Sequence, residues 1–131
     1  MPETLCSYMS SQRQLEKDIP PVLIKIFTWQ LLRAMAHSHS KGIIHRDIKP
    51  QNILVDFDKT TIKICDWGSA KIIDSQGTKS VAYICSRYYR APELIFGSTQ
   101  YNEKIDIWSI GCVVAEMFLL HPIFQGKTSK S

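Results

Sequence analysis

The chain has no C-x-x-C pair and no tight ligand spacing among its four cysteines, Cys6, Cys65, Cys85 and Cys112. That argues against a disulfide framework and for reduced thiols in a cytosolic or nuclear compartment. It also lacks a clean apolar run of roughly 18 residues, the length a membrane-crossing helix needs. Its most apolar stretch, Ile105 to Leu120, carries Asp106 and Glu116 and reads instead as a buried helix. Met1-Pro2-Glu3-Thr4 has neither a basic start nor an apolar stretch, so no secretory address is expected. Charge of one sign is scarce too. The net charge is +4, and Lys and Arg are scattered from Arg13 to Lys130 without a stripe, so neither a nucleic-acid nor a membrane partner is expected. His37, His39 and His45 lie close in sequence, but an i, i+2 pair on a helix points to different faces, which favours surface or packing histidines over a zinc site. There is no internal repeat or low-complexity segment. What remains, 131 residues that are 44% hydrophobic and 21% charged, fits one globular domain with a modest core.

Residues 3 to 14 carry Leu5, Tyr8, Met9 and Gln12 near helical spacing and predict a short helix. Pro20-Pro21 starts a second, because proline has no amide to leave unpaired in a first turn. From there Leu23, Ile26, Phe27, Gln30, Leu31, Ala34, Met35 and Ser38 fall on one face, predicting an amphipathic helix that ends near Lys41-Gly42. Gly42 to His45 and Ile53-Leu54-Val55 read as short strands. Asp56 to Lys59 is turn-like and 60–65 alternates, so 53–55 and 61–65 are expected to pair as a hairpin. Residues 69 to 90 show no sustained periodicity, the behaviour of a lid or docking segment. A brief helical restart at Ala91 to Ile95 precedes a stronger helix from about Glu103 to Leu119, apolar on nearly every side.

The chemistry lies in His45-Arg46-Asp47-Ile48-Lys49-Pro50-Gln51-Asn52, where packing alone does not require an aspartate, a lysine and an asparagine at this spacing. The Asp47 carboxylate could accept a proton from an attacking hydroxyl, Lys49 could neutralise a phosphate, and the Asn52 amide oxygen could ligate a hard cation. That trio suits phosphoryl transfer. The hairpin brings Asp66, at a strand end, close to the same loop.

Downstream come Asp66-Trp67-Gly68, then Ala91-Pro92-Glu93, then Asp106-x-Trp108-Ser109-x-Gly111. In order and spacing these resemble the catalytic loop, metal-binding triplet, activation-segment end and central helix of eukaryotic protein kinases. Gly68-Ser69-Ala70-Lys71 and the run from Tyr83 to Gly97 resemble glycogen synthase kinase 3 and its Shaggy relatives in particular. The resemblance covers nearly the whole chain. It implies an α+β, protein kinase-like fold: a mostly helical large lobe with short β-hairpins around the catalytic loop. Residues 1–131 would form a partial kinase domain, from just after the hinge through the central helix, with the small lobe and the final helices absent.

By the same resemblance, Asp47 is the catalytic aspartate, Lys49 steadies the γ-phosphate of ATP, and Asn52 and Asp66 bind Mg2+. Lys at position 49 is the Ser/Thr pattern. Gln51, Leu54 and Cys65 join the ATP site, with strand-core packing an equal reading for Leu54 and Cys65. His45 and Trp67 support an apolar spine. Arg46 and Lys71 match two of three basic residues that hold a phosphate already present on a primed substrate; from charge alone both would read as solvated or ion-paired side chains. Tyr83 matches an activation-loop tyrosine that is phosphorylated, with Arg87 and Arg90 near enough in sequence to pair with it. Ser86 and Arg90 belong to the substrate platform, and Tyr88 and Tyr89 to its packing. Asp106 accepts amide bonds from the catalytic loop, and Glu93 pairs with an arginine beyond this chain. The implied partners are protein substrates bearing Ser or Thr, including pre-phosphorylated ones, and scaffold proteins whose docking region lies mostly past Ser131. The implied location is cytoplasmic, with the nucleus open.

Trp67 replaces the usual phenylalanine of the triplet, while Asp66 and Gly68 are intact. The chain contains no Gly-rich loop, strand lysine or hinge, so it is expected to expose apolar surface and to transfer no phosphate on its own. The alternative is a non-catalytic kinase remnant or scaffold that acts by binding.

Overall fold

A computed structural model describes residues 3–73, 78–79 and 85–126, with the side chains of 78–79 excepted. Thr4 closes strand β1 (Glu3–Thr4) and caps helix α1 (Leu5–Gln14), its Oγ1 accepting the Ser7 amide at 3.0 Å. Helix α2 (Pro21–Ser40) starts on the expected proline and stops where Gly42 takes φ +71, a left-handed turn that favours a residue without Cβ. Its buried face is Ile24, Phe27, Leu31, Met35 and Ser38. The expected face is therefore corrected: Ile24 is inside, Leu23 is only half-buried, and Ala34 is exposed. Val22, Trp29 and Leu32 are apolar on the solvent side, so polarity alone could not place the seam.

Strand β2 (Ile43–Ile44) leads into the loop, and a 3-10 turn (Pro50–Asn52) leads out of it into β3 (Ile53–Asp56). Strand β4 (Thr61–Ile64) pairs antiparallel with β3 in the register Ile53↔Ile64 and Val55↔Ile62. The Asp56 carboxylate accepts the Asp58 and Lys59 amides across the turn. β1 adds to the other edge of β3, giving the order β1-β3-β4; a two-residue strand is too short to show alternation in sequence. Gln30 of α2 clasps the hairpin, donating to the Thr60 carbonyl at 2.9 Å and accepting the Ile62 amide at 2.8 Å. Gln30→Ala leaves both backbone groups without that partner and is expected to cost about 1–3 kcal/mol, measurable by urea denaturation.

The rest comprises a 3-10 turn (Trp67–Ser69), β5 (Lys71–Ile72), β6 (Thr78–Lys79), a 3-10 turn (Arg87–Tyr89), α3 (Pro92–Ile95), β7 (Gln100–Tyr101) and α4 (Lys104–Leu119). β2 pairs with β5 and β6 with β7, so two short ribbons hold the otherwise aperiodic sequence at 71–72 and 78–79. The main core joins Leu5, Phe27, Leu31 and Met35 to Ile53, Val113 and Met117. α4 is not buried all round as expected: Ile107, Trp108, Phe118 and Leu119 face outward. Ile72 and Phe96 are exposed as well. No helix among the described residues is long and apolar enough to cross a membrane.

Candidate active site

The loop is anchored by its apolar and structural members and displays the others. His45, Ile48, Pro50 and Asn52 are buried, while Arg46, Asp47 and Lys49 are half-buried between them. Ile48 joins the main core, which fixes the peptide between Asp47 and Lys49. Arg46 sits at φ +74, a left-handed conformation unfavourable for a residue with Cβ. The buried Asp106 carboxylate of α4 holds it there: Oδ2 accepts the His45 amide at 2.8 Å and Oδ1 the Arg46 amide at 3.0 Å. His39, at the end of α2, approaches the same Oδ2 with Nε2 at 2.9 Å. The sequence places His39 only as a surface or packing residue, because nothing local links residues 67 positions apart.

The Asp47 amide donates to His45 Nδ1 at 3.1 Å, so Nδ1 carries no hydrogen and Nε2 donates to the Cys65 carbonyl at 2.9 Å. The Trp67 ring meets His45 edge-on with centroids 4.6 Å apart, and its Nε1 donates to the Ile64 carbonyl at 3.3 Å. The His45 ring is buried, whereas the Trp67 ring that meets it is 41% exposed. On its exposed side the Asp47 carboxylate is surrounded. Ser86 Oγ donates to Oδ1 at 3.3 Å, Lys49 Nζ stands 3.6 Å from Oδ2, and Asn52 Nδ2 is 3.3 Å from Oδ2. Lys49 also donates to Ser86 Oγ at 2.9 Å, closing a triangle of acid, ammonium and hydroxyl.

Asn52 Nδ2 also donates to the Asp47 carbonyl at 2.9 Å, which fixes the amide with both hydrogens toward Asp47. Its Oδ1 is then a buried acceptor with no protein partner among the described residues. The Cys65 amide donates to the Asn52 carbonyl at 2.8 Å, setting the exposed Asp66 beside it. Asp66 adopts φ 57 and ψ 70, and a Cβ on Gly68 would lie 3.3 Å from Asp66 Oδ1, so glycine leaves that carboxylate room. An orphaned amide oxygen and an exposed carboxylate are hard oxygen donors of the kind Mg2+ takes alongside substrate phosphates. These residues fit the ion. Leu54 and Cys65 are half-buried and Gln51 is exposed on the 3-10 turn, positions open to a ligand as well as to packing.

Arg46 Nε donates to the Ser69 carbonyl and its NH1 to the Tyr101 hydroxyl at 3.0 Å. Lys71 is the cross-strand partner of Ile44, so it lies on the ribbon whose strand β2 runs into the loop, two residues before Arg46. Arg90 donates to the Cys85 carbonyl at 3.1 Å. Tyr83 lies outside the described residues. Glu93 lines a groove of about 570 Å³ with Lys104, Ile107, Trp108 and Phe124, and forms no salt bridge among the described residues.

A further cluster was missed. Tyr89 is buried and its hydroxyl donates to Glu116 Oε1 at 2.6 Å. The signal was available, since Glu116, like Asp106, is a carboxylate on an apolar helix and needs a partner. Burial pushes the Glu116 carboxyl and the Tyr89 phenol upward. Burial likewise pushes the Cys85 and Cys112 thiols up to about 11. At pH 8 only about one in a thousand of either is thiolate, rising about tenfold per pH unit until near 11. Iodoacetamide labelling of the native chain at pH 8, read by mass spectrometry, is expected to be slow at both and faster after unfolding.

The protein kinase domain family model matches residues 2–131. Protein kinase gsk31 of Schizosaccharomyces pombe is 52% identical over 129 residues, which is 98% of this chain and 34% of that protein. Protein kinase gsk3 of the same organism is 52% identical over 128 residues, 98% of this chain and 33% of that protein. Glycogen synthase kinase 1 of Pyricularia oryzae is 50% identical over 128 residues, 98% of this chain and 32% of that protein. The chain thus spans about a third of the length of the curated relatives it matches.

Proposed function

The chain belongs to the protein kinase domain family, and we propose from that membership that it forms the catalytic-loop portion of a serine/threonine protein kinase of the glycogen synthase kinase 3 type. Its reaction moves the γ-phosphate of ATP to a Ser or Thr hydroxyl of a protein. In this reading residues 1–131 run from just after the hinge through the central helix. The observation that carries the proposal is the triangle of Asp47, Lys49 and Ser86, closed by Asn52.

Asp47 receives the proton of the substrate hydroxyl, with Oδ1 aimed by Ser86 and Oδ2 flanked by Lys49 and Asn52. Lys49 reaches the same space with its ammonium and offsets charge on the transferred phosphate. Mg2+, when bound, neutralises charge on the phosphate oxygens; Asn52 and Asp66 are the residues that would hold it. Arg46 and Lys71 bind the phosphate of a primed substrate, a reading supported by the pairing of Lys71 with Ile44, two residues before Arg46. Tyr83 is the site of regulatory phosphorylation. The four free cysteines accord with a cytoplasmic or nuclear location.

The test is a chimera in which residues 1–131 replace the matching segment of the fission-yeast relative gsk31. It is expected to phosphorylate Ser or Thr peptides with Mg-ATP, faster when the peptide already carries a phosphate. Arg46→Ala should remove that preference. Residues 1–131 alone should transfer no detectable phosphate. A folded chimera without transfer, beside an active parent, would favour the binding remnant instead.

A further inference from the structure

We propose that the outward face of α4 is a self-association surface whose occupant is the same face of a second copy of this chain, packed antiparallel about Gly111 and Ala115. The proposal does not depend on the reading of Asp47 or on transfer activity. Four large apolar side chains of α4 face outward: Ile107 is 41% exposed, Trp108 37%, Phe118 58% and Leu119 46%. They stand at the two ends of one stripe, with Gly111 and Ala115 between them, about one helical turn apart. A Cβ built on Gly111 meets nothing within 4 Å, so the middle of the stripe is open ground on which another helix backbone can lie close. Beside it Trp108 stacks on Phe124 with centroids 5.7 Å apart, and the two rings wall the groove of about 570 Å³.

Two features select a second copy over a partner of different chemistry. Past Lys104 the charged residues of α4 are Asp106 and Glu116, both buried, so the stripe offers a charged partner no complement and two copies no repulsion. The groove itself carries one charge of each sign, Glu93 and Lys104. The stripe is also self-complementary. A twofold axis midway between Gly111 and Ala115 sets Gly111 of one copy against Ala115 of the other and lays Phe118-Leu119 of each over Ile107-Trp108 of the other. Large groups then meet at both ends and small ones at the crossing. With Ile123 and Phe124, the face offers on the order of 500 Å² of apolar side chain per copy, about 1,000 Å² for the pair, the lower limit for a specific interface. The expected dimer is weak, with a micromolar dissociation constant.

Sedimentation equilibrium of residues 1–131 from about 1 to about 100 µM is expected to show a monomer passing to twice its mass with no larger species, because a twofold pairing closes. Gly111→Gln should raise the dissociation constant at least about tenfold. Its side chain enters open space in the chain itself, so circular dichroism and the thermal melt of dilute samples should match those of the unsubstituted chain. Phe118→Lys and Ile107→Glu, both at exposed positions, should each be monomeric alone and should dimerise when mixed, because the antiparallel register sets position 118 of one copy beside position 107 of the other. A parallel or disordered association would not recover on mixing. A chain that stays monomeric at about 100 µM would give the face to a different partner and overturn the pairing. Growth beyond the dimer, a mixture of the two variants that stays monomeric, or a dimer unmoved by Gly111→Gln would overturn it as well.

Discussion

Asp47→Asn in the gsk31 chimera is expected to lower kcat about 10²–10⁴-fold, the range lost when a positioned general base is removed. KM for ATP should barely change, because no contact of the nucleotide is removed, so kcat and kcat/KM should fall together. The substitution suits the question because Asp47 supports the loop through its backbone. Its amide donates to His45 Nδ1 and its carbonyl accepts Asn52 Nδ2, and neither bond involves the carboxylate. An asparagine of the same shape preserves both, and one amide oxygen remains for Ser86. The melting temperature should therefore stay close to that of the parent chimera. Steady-state kinetics with a Ser peptide, together with a thermal melt, read the two quantities separately. A loss below about tenfold would mean that the proton leaves by another route and that Asp47 only orients the hydroxyl.

The reason this residue could be singled out in advance is that its working neighbours are close in sequence. Asp47, Lys49 and Asn52 lie within six positions, and the turn residue Pro50 and the buried Ile48 between them leave few ways to arrange the loop. Asp66 could be placed nearby because a hairpin of known length returns the chain to its start. The helices were legible from their proline starts and their periodicity. The α2 seam was not, because Val22, Trp29 and Leu32 put apolar groups on the solvent side and several rotations look equally amphipathic. His39 and Glu116 were missed for a different reason. Each meets its partner across a tertiary contact, to Asp106 and Tyr89, and a pairing of that range leaves no local pattern. What sequence does offer is the anomaly of a carboxylate on an apolar helix. It marks Asp106 and Glu116 alike.

Those two carboxylates on α4 lead to the second large effect. Asp106→Asn is expected to destabilise the chain by about 3–5 kcal/mol, the cost of breaking a buried charged hydrogen-bond network by removing one partner. Asp106 accepts from three donors at once, the His45 and Arg46 amides and His39 Nε2, and all three converge on two oxygens. Asparagine has one oxygen. Its NH2 group must then face a backbone N–H or the imidazole nitrogen, and at 1% exposure no water relieves the clash. The strained Arg46 backbone loses its tether at the same time, so the damage falls on the peptide preceding Asp47. Among the described residues Glu116 has one hydrogen-bond donor, the Tyr89 hydroxyl, and its carboxyl is already pushed toward the neutral form by burial. A neutral amide there keeps the acceptor and removes a charge that burial disfavours. Urea denaturation should therefore show a large drop in midpoint for Asp106→Asn and little change or a gain for Glu116→Gln. Equal costs at the two positions would refute the claim that donor number, rather than burial of a charge, sets what each carboxylate contributes.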